Sequence, residues 1–216
     1  MSYYIQSNSL NREDCEALHT RYNKKGRLGN GAYGEVYQAC LRGGEDCGYV
    51  LKVITYDEDK YIRSGRSGRS LKDIFLAWRN EVEVFKTLNK CQDKFKLVFS
   101  PILYDSWYCG EGDKMHFYIL MEKYDGDLSD LISNYGRQSN VIFKMALERM
   151  DSYLSIIHNV CGICLNDIKL QNILYKQIGP DHYAIAFSDF GISTMYSDDI
   201  CLERDRENFK DLMASF

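Results

Sequence analysis

The sequence predicts an α+β chain in two lobes, an antiparallel sheet carrying one long helix followed by a mainly helical half. Three observations predict it. Before residue 122 the text consists of short β-rich runs broken by glycine turns. One long amphipathic helix interrupts them after Ser70, and from Asp127 the apolar spacing turns helical. The change of period sets the divisions: a polar lead-in over 1–21, a first lobe over 22–122 and a second over 123–216.

The lead-in suggests one short helix over Arg12–Tyr22. Gly26–Cys40 (GRLGNGAYGEVYQAC) reads as strand, glycine turn and strand, and Tyr49–Thr55 (YVLKVIT) as a third strand after the Gly43-Gly44 turn. Arg63-Ser-Gly-Arg-Ser-Gly-Arg-Ser70 has nothing to bury and reads as a solvated basic connector. Ser70 opens the long helix, with Asp73 in the capping-box position. Its apolar face, Leu71, Ile74, Trp78, Phe85 and Leu88, contains Glu81, and an unpaired carboxylate there is costly, so a buried cationic partner is expected. Further strands are expected at Leu97–Tyr104 and His116–Glu122, and helices at Leu128–Asn134, Val141–His158 and Leu202–Phe216, with a hairpin over Ile173–Phe187.

With 45% apolar and 27% charged residues, the 216-residue chain is composed like a globular protein rather than a disordered or collagen-like one. No apolar run is long enough for a membrane span, and the first residues lack the basic start and apolar core of a secretory signal. The formal charge of −4 makes no case for a nucleic-acid or membrane partner. Eight scattered cysteines without an export signal are expected as reduced thiols in an intracellular setting, cytoplasmic or nuclear. Cys161-Gly-Ile-Cys164 has redox spacing, but it lies between a helix and a loop, so small core residues are the expected use. The four histidines show no metal-ligand spacing.

Three groups of residues carry chemistry. Gly29-Asn-Gly31-Ala-Tyr-Gly34-Glu-Val36 is a G-x-G-x-x-G-x-V string; strand text follows its last glycine where a dinucleotide fold would start a helix, so a hairpin cradling phosphates fits it. Lys52, set in the apolar run Val50–Ile54, is the natural partner for Glu81. Asp167 and Asn172, with Asp189 of Asp189-Phe190-Gly191 downstream, supply hard oxygen ligands suited to one Mg²⁺ or two.

In this order and spacing the motifs resemble those of the eukaryotic-type protein kinase family, serine/threonine-like in the spelling Asp167-x-Lys169-x-x-Asn172, over about Tyr22 to Thr194. The resemblance implies a two-lobed protein-kinase-like fold and an ATP- and Mg²⁺-dependent enzyme phosphorylating serine or threonine of a protein substrate. By similarity Gly29, Gly31 and Gly34 cover the phosphates, Lys52 holds them and Glu81 anchors Lys52. Leu28, Val36, Val50 and Leu174 enclose adenine, Met121, Glu122 and Lys123 form the gatekeeper and hinge, and Asp127 reaches the ribose. Asp167 orients or deprotonates the acceptor hydroxyl, Lys169 neutralises the transferred group, and Asn172 and Asp189 hold the metal.

The chain also departs from the family. Leu165 and Asn166 stand where the family has His and Arg, which removes the cation that reads a phosphorylated activation segment. Only 25 residues follow Gly191, without an Ala-Pro-Glu motif, so the expectation is either a compact kinase with an abbreviated second lobe or a truncated form that needs an activating partner to complete it. A pseudokinase or nucleotide-binding regulatory module, and a small-molecule kinase of the same fold, are the alternatives.

Overall fold

The computed structural model describes residues 21–31, 34–44, 46–65, 67–135, 140–180, 182–195 and 199–214, with the backbone alone at 30–31, 134–135 and 140–147. The helix expected over Arg12–Tyr22 lies outside these residues except for its last two, and Tyr22 opens a strand. Ala32, Tyr33, Tyr196 and Ser197 also lie outside them. The chain forms two compact units. The first takes residues up to Val82 and Ile102–Lys123, the second Glu83–Pro101 and Tyr124–Phe216. The second unit thus includes 83–101, a stretch the sequence division counts with the first lobe.

The first unit is built on a five-stranded antiparallel sheet: β1 (Tyr22–Gly31), β2 (Gly34–Leu41), β3 (Tyr49–Asp57), β4 (Leu103–Glu111) and β5 (Lys114–Glu122), in the order β1-β2-β3-β5-β4. Side chains alternate across a strand. Leu51 and Val53 of β3 therefore join Ala39, Trp107 and Leu120 in a core on one face, while Lys52 points to the other, where it meets Glu81. Helix α1 (Glu58–Arg63) follows β3 directly, capped by Asp57, whose Oδ1 accepts the Lys60 N–H at 2.9 Å. This helix was not anticipated; an Asp followed by Glu58 and Asp59 is its start signal.

Helix α2 (Leu71–Phe95) begins with the expected box: Asp73 Oδ2 accepts from the Ser70 amide and hydroxyl, and Ser70 Oγ accepts the Asp73 N–H at 3.2 Å. Residues of α2 up to Val82 belong to the first unit and those from Glu83 to the second. Trp78, Glu81, Phe85 and Leu88 are buried as their spacing requires, whereas Leu71 at the open end is exposed. The strand expected at Leu97–Tyr104 begins instead at Leu103. Pro101 has no N–H for a ladder, and the Gln92 side chain takes the amides of Phe99 and Ser100.

The second unit holds α3 (Leu128–Tyr135), α4 (Asn140–Asn159) and α5 (Asp199–Ala214) with two small sheets. One is β6 (Gly126–Asp127), β8 (Ile173–Gly179) and β9 (His182–Phe187); the other pairs β7 (Ile163–Cys164) with β10 (Thr194–Met195). A 3₁₀ turn, Leu170–Asn172, leads into β8.

The expectation of reduced thiols is corrected here. Among the described residues Cys40 is bonded to Cys47, Cys91 to Cys161 and Cys164 to Cys201. Folding brings the last two pairs to Cα separations of 6.2 Å across 70 and 37 positions of sequence, which no spacing rule reveals. Cys161 and Cys164 therefore bond not to each other but to α2 and α5. Among the described residues no helix is long and apolar enough to cross a membrane.

Candidate active site

In the first unit the glycine string closes the β1–β2 hairpin, with Gly29 opposite Val36 and Gly31 opposite Gly34. Gly34 adopts φ 145°, and a Cβ there would lie 2.5 Å from the Val53 carbonyl oxygen of β3, so both backbone and space demand glycine. At Gly29 a Cβ would meet open space. Beside the hairpin Arg27 pairs with Glu35 at 3.2 Å, and Tyr37 donates its hydroxyl to Glu35 at 2.8 Å. That bond holds the Tyr37 hydroxyl above its ordinary pKa.

Lys52 occupies the middle strand, opposite Val36 on one side and Ile119 on the other, and not a sheet edge where lysines commonly sit. Its Nζ donates to Glu81 Oε1 at 2.7 Å, with side-chain exposures of 9% and 2%. The β3 strand and the α2 stripe thus explain each other: each presents a buried charge that the other pairs. Val50 and Met121, cross-strand neighbours on β3 and β5, are buried beside this pair, while Leu28 is half exposed. Glu122 donates its N–H to Ile102 O and Lys123 to Gly48 O, both at 2.9 Å, so these two donors are committed within the unit.

In the second unit Asp167 Oδ2 accepts from Lys169 Nζ at 2.7 Å and from Asn172 Nδ2 at 2.8 Å. Asn172 is buried, and its Nδ2 also donates to the Asp167 carbonyl at 2.9 Å. Asp167 and Lys169 stay partly open, at 27% and 49% side-chain exposure. The register Ile173↔Phe187 and the Ser188 N–H donated to Asn172 O at 2.8 Å put Asn172 and Asp189 at the same end of the β8–β9 hairpin. Asp189 sits at φ 58°, ahead of the buried Phe190, whose ring packs edge-on against Phe85 at 4.8 Å. Leu174 lies on β8 opposite Ala186. Asp127 caps α3, its Oδ1 accepting the amides of Ser129 and Asp130.

One functional residue escaped the sequence reading. Asp205 of α5 is fully buried and accepts the Leu165 N–H at 2.7 Å and the Asn166 N–H at 2.8 Å, the two amides just before Asp167. His158 Nε2 lies 3.0 Å from the same carboxylate. The signal was available: Cys201, Asp205 and Phe209 step by four along a buried helix face, the pattern that exposed Glu81. Leu165, buried in the position the family gives to His, packs as an apolar residue.

An amide oxygen and a carboxylate make a hard donor set that suits Mg²⁺, and Asn172 spends its nitrogen on Asp167, leaving its oxygen for a metal. Cys164, Cys201 and Asp205 also lie close together and buried, but the two sulfurs are bonded to each other and Asp205 holds the loop amides.

The protein kinase domain family matches this chain over residues 22–208. The dual specificity protein kinase shkE of Dictyostelium discoideum is 28% identical over 169 residues, an alignment covering 77% of this chain and 20% of that protein. The chain therefore spans about a fifth of the curated relative's length. A family match running over most of the sequence settles membership: this chain belongs to the protein kinase domain family.

Proposed function

We propose that the chain is an ATP- and Mg²⁺-dependent protein kinase that transfers the γ-phosphoryl group to serine or threonine hydroxyls. The observation that carries this reading is the bonded trio Asp167, Lys169 and Asn172, a partly open carboxylate held by an ammonium and an amide. In that role Asp167 accepts the acceptor hydroxyl's hydrogen bond and orients its oxygen for in-line attack. Lys169, already beside it, offsets charge on the transferred phosphoryl oxygens. Asn172 and Asp189 would hold Mg²⁺, which supplies charge neutralisation at the phosphates. Lys52, fixed by Glu81, would hold the α- and β-phosphates, and the Gly29–Gly34 hairpin would lend backbone N–H groups.

Serine/threonine preference rests on the spelling of the Asp167 loop, and the relative's name adds tyrosine as an acceptor to be tested. The deciding experiment is transfer from γ-labelled ATP to casein and to a tyrosine-containing copolymer, with wild type, Asp167→Ala and Asp189→Ala. Label on casein that disappears in both variants supports the proposal. Thermal stabilisation by Mg-ATP without transfer to any acceptor would make the chain a nucleotide-binding pseudokinase instead.

A further inference from the structure

The two disulfides of the second unit differ in how far solvent reaches their sulfurs. Cys164 is fully buried and Cys201 is 7% exposed, whereas Cys91 and Cys161 are both partly exposed. Disulfides open to solvent are the labile ones, and enclosed ones exchange only when the fold opens locally. A thiol in solution therefore reaches Cys91–Cys161 before Cys164–Cys201.

Cys91–Cys161 also sits where its loss has consequences. Cys161 follows the end of α4, and its N–H and that of Val160 are both donated to Ile156 O, at 3.1 and 2.9 Å. Gly162, at φ 67°, then turns the chain into the buried β7, which leads directly to the Asp167 loop. At the other end of the bond, Cys91 stands on a fixed support. Its neighbour Gln92 accepts the amides of Phe99 and Ser100, and Phe99 O accepts the Phe187 N–H at 2.9 Å. Phe187 ends β9, just ahead of Asp189. The bond thus ties the approach to Asp167 to the support of the strand that leads to Asp189. When it opens, Cys164–Cys201 still pins the far end of the Cys161–Cys164 segment, so the two freed sulfurs stay near each other and can rejoin.

We propose that Cys91–Cys161 is a redox switch on phosphotransfer, fast when bonded and slowed when a dithiol reduces it. The proposal rests on the reading of the chain as an active kinase. A thiolate of the reductant attacks one sulfur of the pair, the S–S bond breaks, and a mixed disulfide forms. The reductant's second thiol then attacks its own sulfur in that mixed disulfide and releases the protein. Two electrons and two protons have passed to Cys91 and Cys161, now thiols, and the reductant leaves as a cyclic disulfide. A disulfide oxidant reverses the step. Reduction frees the turn at Gly162, so Asp167 is held less often in line with the acceptor hydroxyl.

The test equilibrates the full chain in buffers of reduced and oxidised dithiothreitol. In each buffer thiols are trapped by alkylation and mapped by mass, and transfer from labelled Mg-ATP to casein is measured. As Cys91 and Cys161 become alkylated while Cys164 and Cys201 stay bonded, kcat should fall about fivefold or more, with KM for ATP changed less than about twofold. Return to the oxidising buffer should restore both the bond and kcat. Over the same change, hydrogen exchange at Val160 and Cys161 should quicken by about tenfold while the buried sheet amide of Leu120 is unchanged. Cys40→Ser with Cys47→Ser should respond to the buffers as wild type does, and Cys91→Ser with Cys161→Ser should show the low kcat in all of them. The wild-type series decides by itself where that last variant does not fold.

A wild-type kcat that stays constant while Cys91–Cys161 opens, or falls only once Cys164–Cys201 opens, would overturn the proposal. So would a folded Cys91→Ser, Cys161→Ser variant whose kcat still follows the buffer. If wild type transfers no phosphate to any acceptor in any buffer, the kinase reading fails separately. Exchange at Val160 and Cys161 then decides alone: faster on reduction upholds the redox opening of the turn, and unchanged overturns it.

Discussion

Removing one member of the Lys52–Glu81 pair takes from the other its 2.7 Å partner at a place with almost no access to water. A half-broken buried pair typically costs about 3–5 kcal/mol, whereas replacing both ions with apolar groups of similar volume is often neutral. Glu81→Ala is therefore expected to lower unfolding free energy by about that amount, and Lys52→Met with Glu81→Leu to recover most of it, as urea titrations would show. Phosphotransfer should separate from stability: the double variant, refolded but without a phosphate anchor, should still lose about 10²-fold or more of kcat. A stable double variant with full activity would remove Lys52 from the chemistry. Asp205 is buried as well, against the amides of Leu165 and Asn166 and the ring of His158. Asp205→Asn replaces one acceptor with a donor aimed at the amides of Leu165 and Asn166, at a cost of about 2–3 kcal/mol. A melting temperature indistinguishable from wild type would show those bonds to be dispensable.

At the scale of the element, α2 shows what a sequence declares and what it withholds. Its start was legible because Ser70 and Asp73 form a local reciprocal cap, and Glu81 betrayed a partner because a carboxylate on a core stripe is an oddity within one helix. The Lys52 strand and the Gly34 turn were legible for the same reason. The strand expected at Leu97–Tyr104 slid to Leu103–Glu111 because the Gln92 side chain, on a neighbouring element, captures the amides of Phe99 and Ser100. Asp205 was half legible: its place on the Cys201, Asp205, Phe209 stripe marks it as buried, but two of its partners are backbone amides some forty positions upstream, and backbone donors leave no mark in a sequence. The cap also makes a pH prediction. Hydrogen bonds from the Ser70 hydroxyl, and then from its amide, hold the Asp73 carboxyl below its ordinary pKa. Such a group stabilises the fold above its unfolded pKa, about 4, and the contribution disappears as pH falls through the lower folded value. Acidification from pH 5 to pH 3 should thus quicken amide exchange in the first turn of α2. Ser70→Ala, expected to cost about 1 kcal/mol, should raise the Asp73 pKa seen by NMR titration. An Asp73 pKa unaffected by that substitution would mean the box does not form in solution.

Across the whole molecule the cysteines divide the work unevenly. Cys40–Cys47 spans 7 positions within the first unit, a shorter loop whose closure restrains the unfolded chain less. Cys91–Cys161 and Cys164–Cys201 span 70 and 37 positions, both inside the second unit, and they pin the two ends of Cys161–Cys164 to α2 and α5. That segment runs straight into the Asp167 loop, so its fastening is also the loop's foundation. In the loop-entropy account, closing either of these longer loops stabilises by up to about 4 kcal/mol, less whatever structure the unfolded chain keeps. Replacing Cys91 and Cys161 together with serine is therefore expected to lower the stability of the second unit by a few kcal/mol, about 4 at most. Hydrogen exchange locates the loss: amides of Ile163, Leu165 and Phe187 should exchange faster, while those of Leu51 and Leu120 in the first unit's sheet keep their protection. Peptide mapping without reductant provides the independent check, since it should recover Cys91 joined to Cys161 from the wild-type chain. Thiols alkylated at both positions, with exchange in the double variant equal to wild type, would show that packing alone holds the catalytic half together.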